Sequence, residues 1–155
     1  MESKVMTRPE EKVDSSQHTG VIERNKQVVR EFTRTFKNQH NVDGINHLFA
    51  PDFKHHFRQP VSPGLTGFKE IGRVMNTAFP DVVVTEEDLI ASEDTVVERS
   101  TAVGTHRASM MTEPPTNKEI HWSEIHIYRI HDGKIAEHWV EMSMLELLKQ
   151  IGALP

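Results

Sequence analysis

EIHWSEIHIYRIHDGKIAEHW, residues 119–139, followed by VEMSMLELLKQIGALP up to Pro155, is the stretch on which the fold turns. Its first half alternates with a period of two. Trp122, Glu124, His126 and Tyr128 fall on one side of a strand, and Ser123, Ile125, Ile127 and Arg129 on the other. Asp132-Gly133 then supplies a pair suited to the positive φ values of a two-residue hairpin loop. On the returning strand Ala136, His138 and Val140 share a side, while Glu137, Trp139 and Glu141 share the opposite one. From Met144 to Ile151 the spacing of Leu145, Leu147, Leu148 and Ile151 becomes helical, and Gly152 stands where a helix C-terminal cap belongs. A β-hairpin with an ionisable stripe, closed by a short helix, is the expectation.

Working outward, Thr95 to Arg107 and Val82 to Ala91 also read as strands, joined by the short link Ser92-Glu93-Asp94 that makes them antiparallel neighbours. Ala108 to Lys118, with Met110, Met111 and Pro114-Pro115, reads as a flexible flap. Upstream the period is helical: Ile22, Val28, Val29, Phe32 and Phe36 form one face from Val21 to Phe36. Asp43 can cap a short second helix carrying Ile45, Leu48 and Phe49, and Thr66 can cap a third that runs to Phe79. Between them Phe53 to Phe57 reads as a short strand on which the adjacent His55 and His56 must face opposite ways. Pro60, Pro63 and Gly64 make the loop that follows it. Helices first and an antiparallel meander afterwards define an α+β domain over residues 21–155. Residues 1–20, which lack the apolar core of a secretory signal, read as a disordered leader.

Composition narrows the function classes. A chain of 155 residues is one domain with room for one core and one buried pocket. No run approaches the roughly 20 apolar residues of a membrane span. A formal charge of −5 with scattered lysines and arginines argues against a nucleic-acid or membrane-surface footprint. The absence of cysteine removes disulfides, thiolate nucleophiles and cysteine-based metal sites, and fits a reducing, cytoplasmic location. Ten histidines are many for this length, yet none falls in a metal-binding helix pattern, and no phosphate-binding loop or serine-nucleophile signature is present. No metal or cofactor is expected.

The order of elements, together with Gly104-Thr105-His106, Pro114-Pro115-Thr116-Asn117-Lys118, Ile125 to Ile130, Asp132-Gly133-Lys134-Ile135, Glu137-His138-Trp139 and Leu147 to Gly152, resembles the SnoaL-like polyketide cyclase family of the nuclear-transport-factor-2-like superfamily. That resemblance implies a cone-shaped α+β barrel, in which a curved, mostly antiparallel sheet wraps around N-terminal helices and encloses a pocket. It also implies an intramolecular aldol condensation without metal or cofactor. Such chemistry needs a base to take a proton next to a carbonyl and a donor to steady the enolate oxygen. The family's acid/base aspartate falls at Val140 here, its supporting histidine at His126, and a second aspartate at Ser143. Glu141 is turned away by strand parity.

With His126 facing the pocket, alternation turns Trp122, Glu124 and Tyr128 to it too, and the family resemblance at Val140 implies the same for His138. One reading makes His126 or His138 the base, with Glu124 orienting the ring. The other is a buried polar network that merely satisfies itself. Trp122, Tyr128, Arg99, His55, His106 and Val140 are candidates for substrate contact, although an arginine in mid-strand more often pairs with an acid on the outer face, and His106 reads first as packing at the pocket rim. Trp139, Ile125 and Ile127 point to the convex side, where an apolar face implies a homodimer. The expected ligand is a mostly apolar, oxygenated small molecule. A non-catalytic binding or interaction module is the rival reading, and dehydration, isomerisation or hydrolysis in the same pocket is a further one.

Overall fold

In the computed structural model, residues 15–57 and 61–155 are described. Helix α1 covers Ser15–Phe32, so the segment expected to be a disordered leader is helical from Ser15 onward; residues 1–14 and Pro60 lie outside the described residues. At Thr33–Asn38 the helix widens into a π-helical turn, with Gln39 N–H reaching back five residues to the Arg34 carbonyl at 2.9 Å. Asn38 anchors this turn on the sheet. Its amide donates to the Val84 carbonyl at 3.0 Å and accepts from the Val84 N–H at 2.7 Å, as a neighbouring strand would.

A single 3-10 turn, Asn46–Leu48, replaces the short second helix. Asp43 is not its cap, because α2 (Gly64–Ala78) presents Lys69 and Arg73 to that carboxylate at 3.1 and 3.0 Å. Helix α2 begins after Pro63, so Thr66 lies inside it rather than capping it. Phe36 and α2 approach closely at Gly72, where a β-carbon would stand 2.2 Å from the Phe36 ring.

The strands are β1 (Phe49–His56), β2 (Val83–Ala91), β3 (Thr95–Thr105), β4 (Glu119–His131) and β5 (Lys134–Met142). They form one sheet in the order β1-β5-β4-β3-β2. β1 runs parallel to β5, and all other pairs are antiparallel. Asp132 and Gly133 have φ of 48° and 71°, as the expected hairpin turn requires. An irregularity follows at once, since Ile130 pairs with Ile135 but Arg129 with Glu137. The extra residue, Ala136, lets Ile135 and His138 both point inward, which strict alternation does not allow. Helix α3 (Met144–Ile151) closes the chain, with Gly152 in the left-handed conformation at its end.

Two apolar clusters fill the interior. Phe32, Phe36, Phe49, Phe53, Phe68 and Tyr128 gather at one end, with several ring pairs 5–6 Å apart. Phe79, Val82, Trp122, Leu147 and Ile151 gather at the other. Between them lies a cavity of about 440 Å³. The link expected to be a flexible flap is tied down: Met110 and Glu113 exchange backbone hydrogen bonds, and Arg107 N–H donates to the Ala78 carbonyl at 2.8 Å. Met110 is buried and Met111 exposed where the link meets the cavity. Among the described residues, no helix is long and apolar enough to cross a membrane.

Candidate active site

The inward stripe of β4 and β5 builds the floor of this cavity. Cross-strand register sets Glu98 opposite His126, Ser100 opposite Glu124 and Ala102 opposite Trp122, while Val140 lies opposite His126 on the other flank. His138 is opposite Tyr128 on one side and beside His55 of β1 on the other. The π-helical turn then lowers Lys37 onto this surface. Its Nζ lies 3.2 Å from Glu98 Oε2, 3.4 Å from Glu124 Oε2 and 2.9 Å from His126 Nε2.

Each carboxylate is held by further donors. Glu98, fully buried, accepts from Thr33 Oγ1 at 2.7 Å and from the Tyr128 hydroxyl at 3.0 Å. Glu124 accepts from the Trp122 indole N–H at 2.7 Å and meets His126 Nε2 at 2.7 Å. Burial pushes both carboxyls up, but the Lys37 ammonium and these hydrogen bonds outweigh it, holding Glu98 below and Glu124 well below the ordinary glutamate value. Burial has the opposite effect on the imidazoles, because it too disfavours their charged form. It lowers His126, reinforced by Lys37, and lowers His138 strongly, reinforced by His126. His55 is pushed down to about 4 by burial and by His56. At neutral pH the floor therefore holds two carboxylates, one ammonium and three neutral imidazoles.

These imidazoles stand in series. His126 Nδ1 lies 2.9 Å from His138 Nε2, and His138 Nδ1 lies 3.1 Å from His55 Nδ1. His55 Nε2 is buried and has no hydrogen-bond partner. Its ring is parallel to those of Phe57 and His138 and edge-on to Phe68. The rest of the cavity wall is mostly apolar, with Phe68, Ile71, Met75, Val84, Val140 and Met142 among its members and Glu70 and Asn76 as polar exceptions.

Of the residues singled out by sequence, His126, His138, Glu124, Trp122, His55 and Val140 line this one cavity. Three others do not. Arg99 lies on the outer face, where it is paired with Asp88 at 2.6 Å. His106 is buried beside Phe79 and hydrogen-bonds Thr116, because Gly104-Thr105-His106 leads into the link rather than into the cavity. Tyr128 faces inward as alternation predicts, yet it is packed under Phe32 and spent on Glu98. Sequence reasoning missed Lys37 and Glu98. The parity that places Val96 and Ala102 inside also places Glu98 there. The spacing of Thr33 and Lys37 is a weaker sign that a lysine shares a buried helix face.

A sheet curved around an apolar cavity with an ionisable floor defines a pocket-bearing α+β cone of the nuclear-transport-factor-2-like type. The model of the SnoaL-like polyketide cyclases matches residues 27–151, and the chain belongs to that family. Among solved structures it is similar to AclR of Streptomyces galilaeus, described as a candidate hydroxylase, with 29% identity, a TM-score of 0.78, and coverage of 86% of this chain and 88% of that one. It is also similar to TsrD of Streptomyces laurentii, at 27% identity and a TM-score of 0.77, over 85% and 97% of the two chains. A candidate polyketide cyclase from Bacillus cereus shares the fold at a TM-score of 0.78 and 24% identity, over 99% and 97%. No curated protein sequence matches the chain.

Proposed function

We propose that this protein is a cofactor-free acid/base enzyme that moves a proton at a carbon next to a carbonyl in a mostly apolar, oxygenated small molecule. What carries the reading is the concentration of Lys37, Glu124, His126, His138 and His55 in one part of a cavity that is otherwise mostly apolar. A volume of about 440 Å³ suits a ligand of one to a few rings. Neutral imidazoles have lone pairs to accept a proton, and Lys37 is the cation best placed to steady an enolate oxygen. Closing a ring by aldol condensation, dehydration and isomerisation all begin with this proton transfer, so the residues support the class before they choose among its products. The absence of cysteine fits work in a reducing cytoplasm.

One observation favours a second reading, that of a pocketed binding module. Val140 lines the cavity directly opposite His126, at the place where the family resemblance puts an aspartate, and it cannot transfer a proton. Deuterium exchange at the α-carbon of aryl ketones and aryl β-keto esters, followed by NMR in D₂O, separates the two. The enzyme reading expects the wild-type protein to accelerate exchange, and His126→Ala and His138→Ala to lose it with the fold intact by circular dichroism. No acceleration with any compound of such a panel, or acceleration only after Val140→Asp, would replace it with the binding reading. The proposal also includes a homodimer formed through the outer face of the sheet. Register sets Val97, Ile127, Trp139 and His56 side by side across four strands there.

A further inference from the structure

We propose that His55 Nε2 is the nitrogen that exchanges a proton with the substrate, and that His138, His126 and Glu124 form a hydrogen-bonded relay behind it. This rests on the acid/base reading above and decides which atom performs it. Both ring nitrogens of His126 and both of His138 are engaged by neighbouring side chains, so neither ring has a lone pair to offer a ligand without breaking a buried hydrogen bond. His55 Nε2 alone among the six nitrogens of the series is unpartnered. A buried nitrogen left unsatisfied has lost its water without gaining a partner, a cost that a ligand hydrogen approaching it would relieve.

Glu124 is ionised and can only accept, so the single hydrogen of neutral His126 sits on Nε2 and donates to Glu124 at 2.7 Å. Lys37 competes for the same nitrogen at 2.9 Å, nearer than its 3.2 and 3.4 Å to the two carboxylates, but the 2.7 Å contact with Glu124 is shorter still and assigns the hydrogen to the His126–Glu124 pair. His126 Nδ1 is then an acceptor, and the hydrogen it accepts is on His138 Nε2. His138 Nδ1 is in turn an acceptor from His55 Nδ1–H. That leaves His55 Nε2 as a bare lone pair. One charge at Glu124 thus sets the tautomer of three rings in succession and ends in a buried lone pair on a residue that lines the cavity.

The transfer balances. The substrate C–H bond breaks, its electron pair stays on the enolate, and the proton joins His55 Nε2. The Nδ1 proton of His55 passes to His138 Nδ1, and the Nε2 proton of His138 passes to His126 Nδ1. His55 and His138 end neutral in the opposite tautomer, His126 ends as an imidazolium that still donates from Nε2 to the Glu124 carboxylate, and the enolate carries the matching negative charge. Protonation of the product reverses the sequence. His138 and His126 are in this scheme positioning residues that move charge without touching the ligand.

The test is ¹⁵N NMR of the histidines in the full chain without ligand at neutral pH. Expected are His55 protonated on Nδ1, and His138 and His126 protonated on Nε2. In Glu124→Gln both groups facing His126 Nε2, the amide and Lys37, can donate, so the series should invert and His55 should become protonated on Nε2. His55 protonated on Nε2 in the wild type, or unmoved by Glu124→Gln, would overturn the relay whether or not any substrate is turned over. His55→Phe keeps the ring stacking and should cut exchange of any active aryl ketone by roughly 100-fold or more. Exchange in that variant within a fewfold of wild type would return the role of base to His126 or His138 while leaving the acid/base reading standing.

Discussion

The two faces of the β4–β5 hairpin invert the usual partition of a protein. The inner face carries Glu124, His126 and His138, all buried or nearly so; on the outer face Ile125 and Ile127 remain 47% and 38% exposed. Inside, the charges are tolerable because each is matched: Lys37 stands between two carboxylates, and the imidazoles spend their hydrogen bonds on one another. Such a floor is costly to assemble and adds little net stability, since desolvation consumes most of what ion pairing returns. Outside, the aliphatic row is partly covered by Trp139, itself stacked on His56 at 4.5 Å. The difference teaches that residue type alone does not say which way a strand faces. Partners do.

The contrast breaks most visibly at Lys37, the cation between the two carboxylates of the floor. Lys37→Met leaves Glu98 and Glu124 facing each other without a counter-charge, and should lower stability by about 3–5 kcal/mol in urea unfolding. A loss under 1 kcal/mol would mean that the floor is open to water. Acid should act on the same groups. The folded-state values of His55, His126 and His138 lie below the ordinary histidine value of 6.5, so the unfolded chain binds protons that the folded one refuses. Stability should be level above that pH and fall as pH drops below it. It should fall further once the unfolded carboxyls, ordinarily near 4.5, take up protons that Glu98 and Glu124 resist. Thermal melts from pH 8 to pH 4 check this, and a midpoint that rises on acidification contradicts it. Tyr128→Phe removes one hydrogen bond to Glu98 at almost constant volume and should cost about 1.5–3 kcal/mol. On the outer face, Ile127→Lys should change the stability of the fold itself by no more than about 0.5 kcal/mol. It should nevertheless convert a dimer to a monomer in light scattering, and a wild-type monomer would remove the interface from the proposal.

How much was legible in the sequence follows the range of the interactions. Strand parity predicted the inward set Trp122, Glu124, His126 and Tyr128, because side-chain alternation is local, while His138 was placed there by the family resemblance at Val140. Parity failed at Ala136, where an extra residue resets the alternation; the expected cap at Asp43 gave way to ion pairs with Lys69 and Arg73, and the one at Thr66 to a helix that starts earlier, after Pro63. Arg99 was legible as an outer-face ion pair but not as which one. Val140 was visible as a departure from the family pattern; that it faces His126 across the hairpin was a consequence of register.

By itself the sequence determined an α+β domain, the Asp132-Gly133 hairpin, the terminal helix, and a stripe of ionisable groups on one side of a strand. Those features depend on period and turn chemistry, which a few neighbouring residues decide. Only the tertiary structure decided that Lys37, 61 residues from Glu98 and 89 from His126, closes the floor, and that His55, 83 residues from His138, ends the series of imidazoles. These pairings depend on a π-helical turn, a parallel edge strand and an irregular register acting together. Buried charge can be placed only where distant groups meet it, because a lone charge in an apolar interior costs more than any local preference can repay.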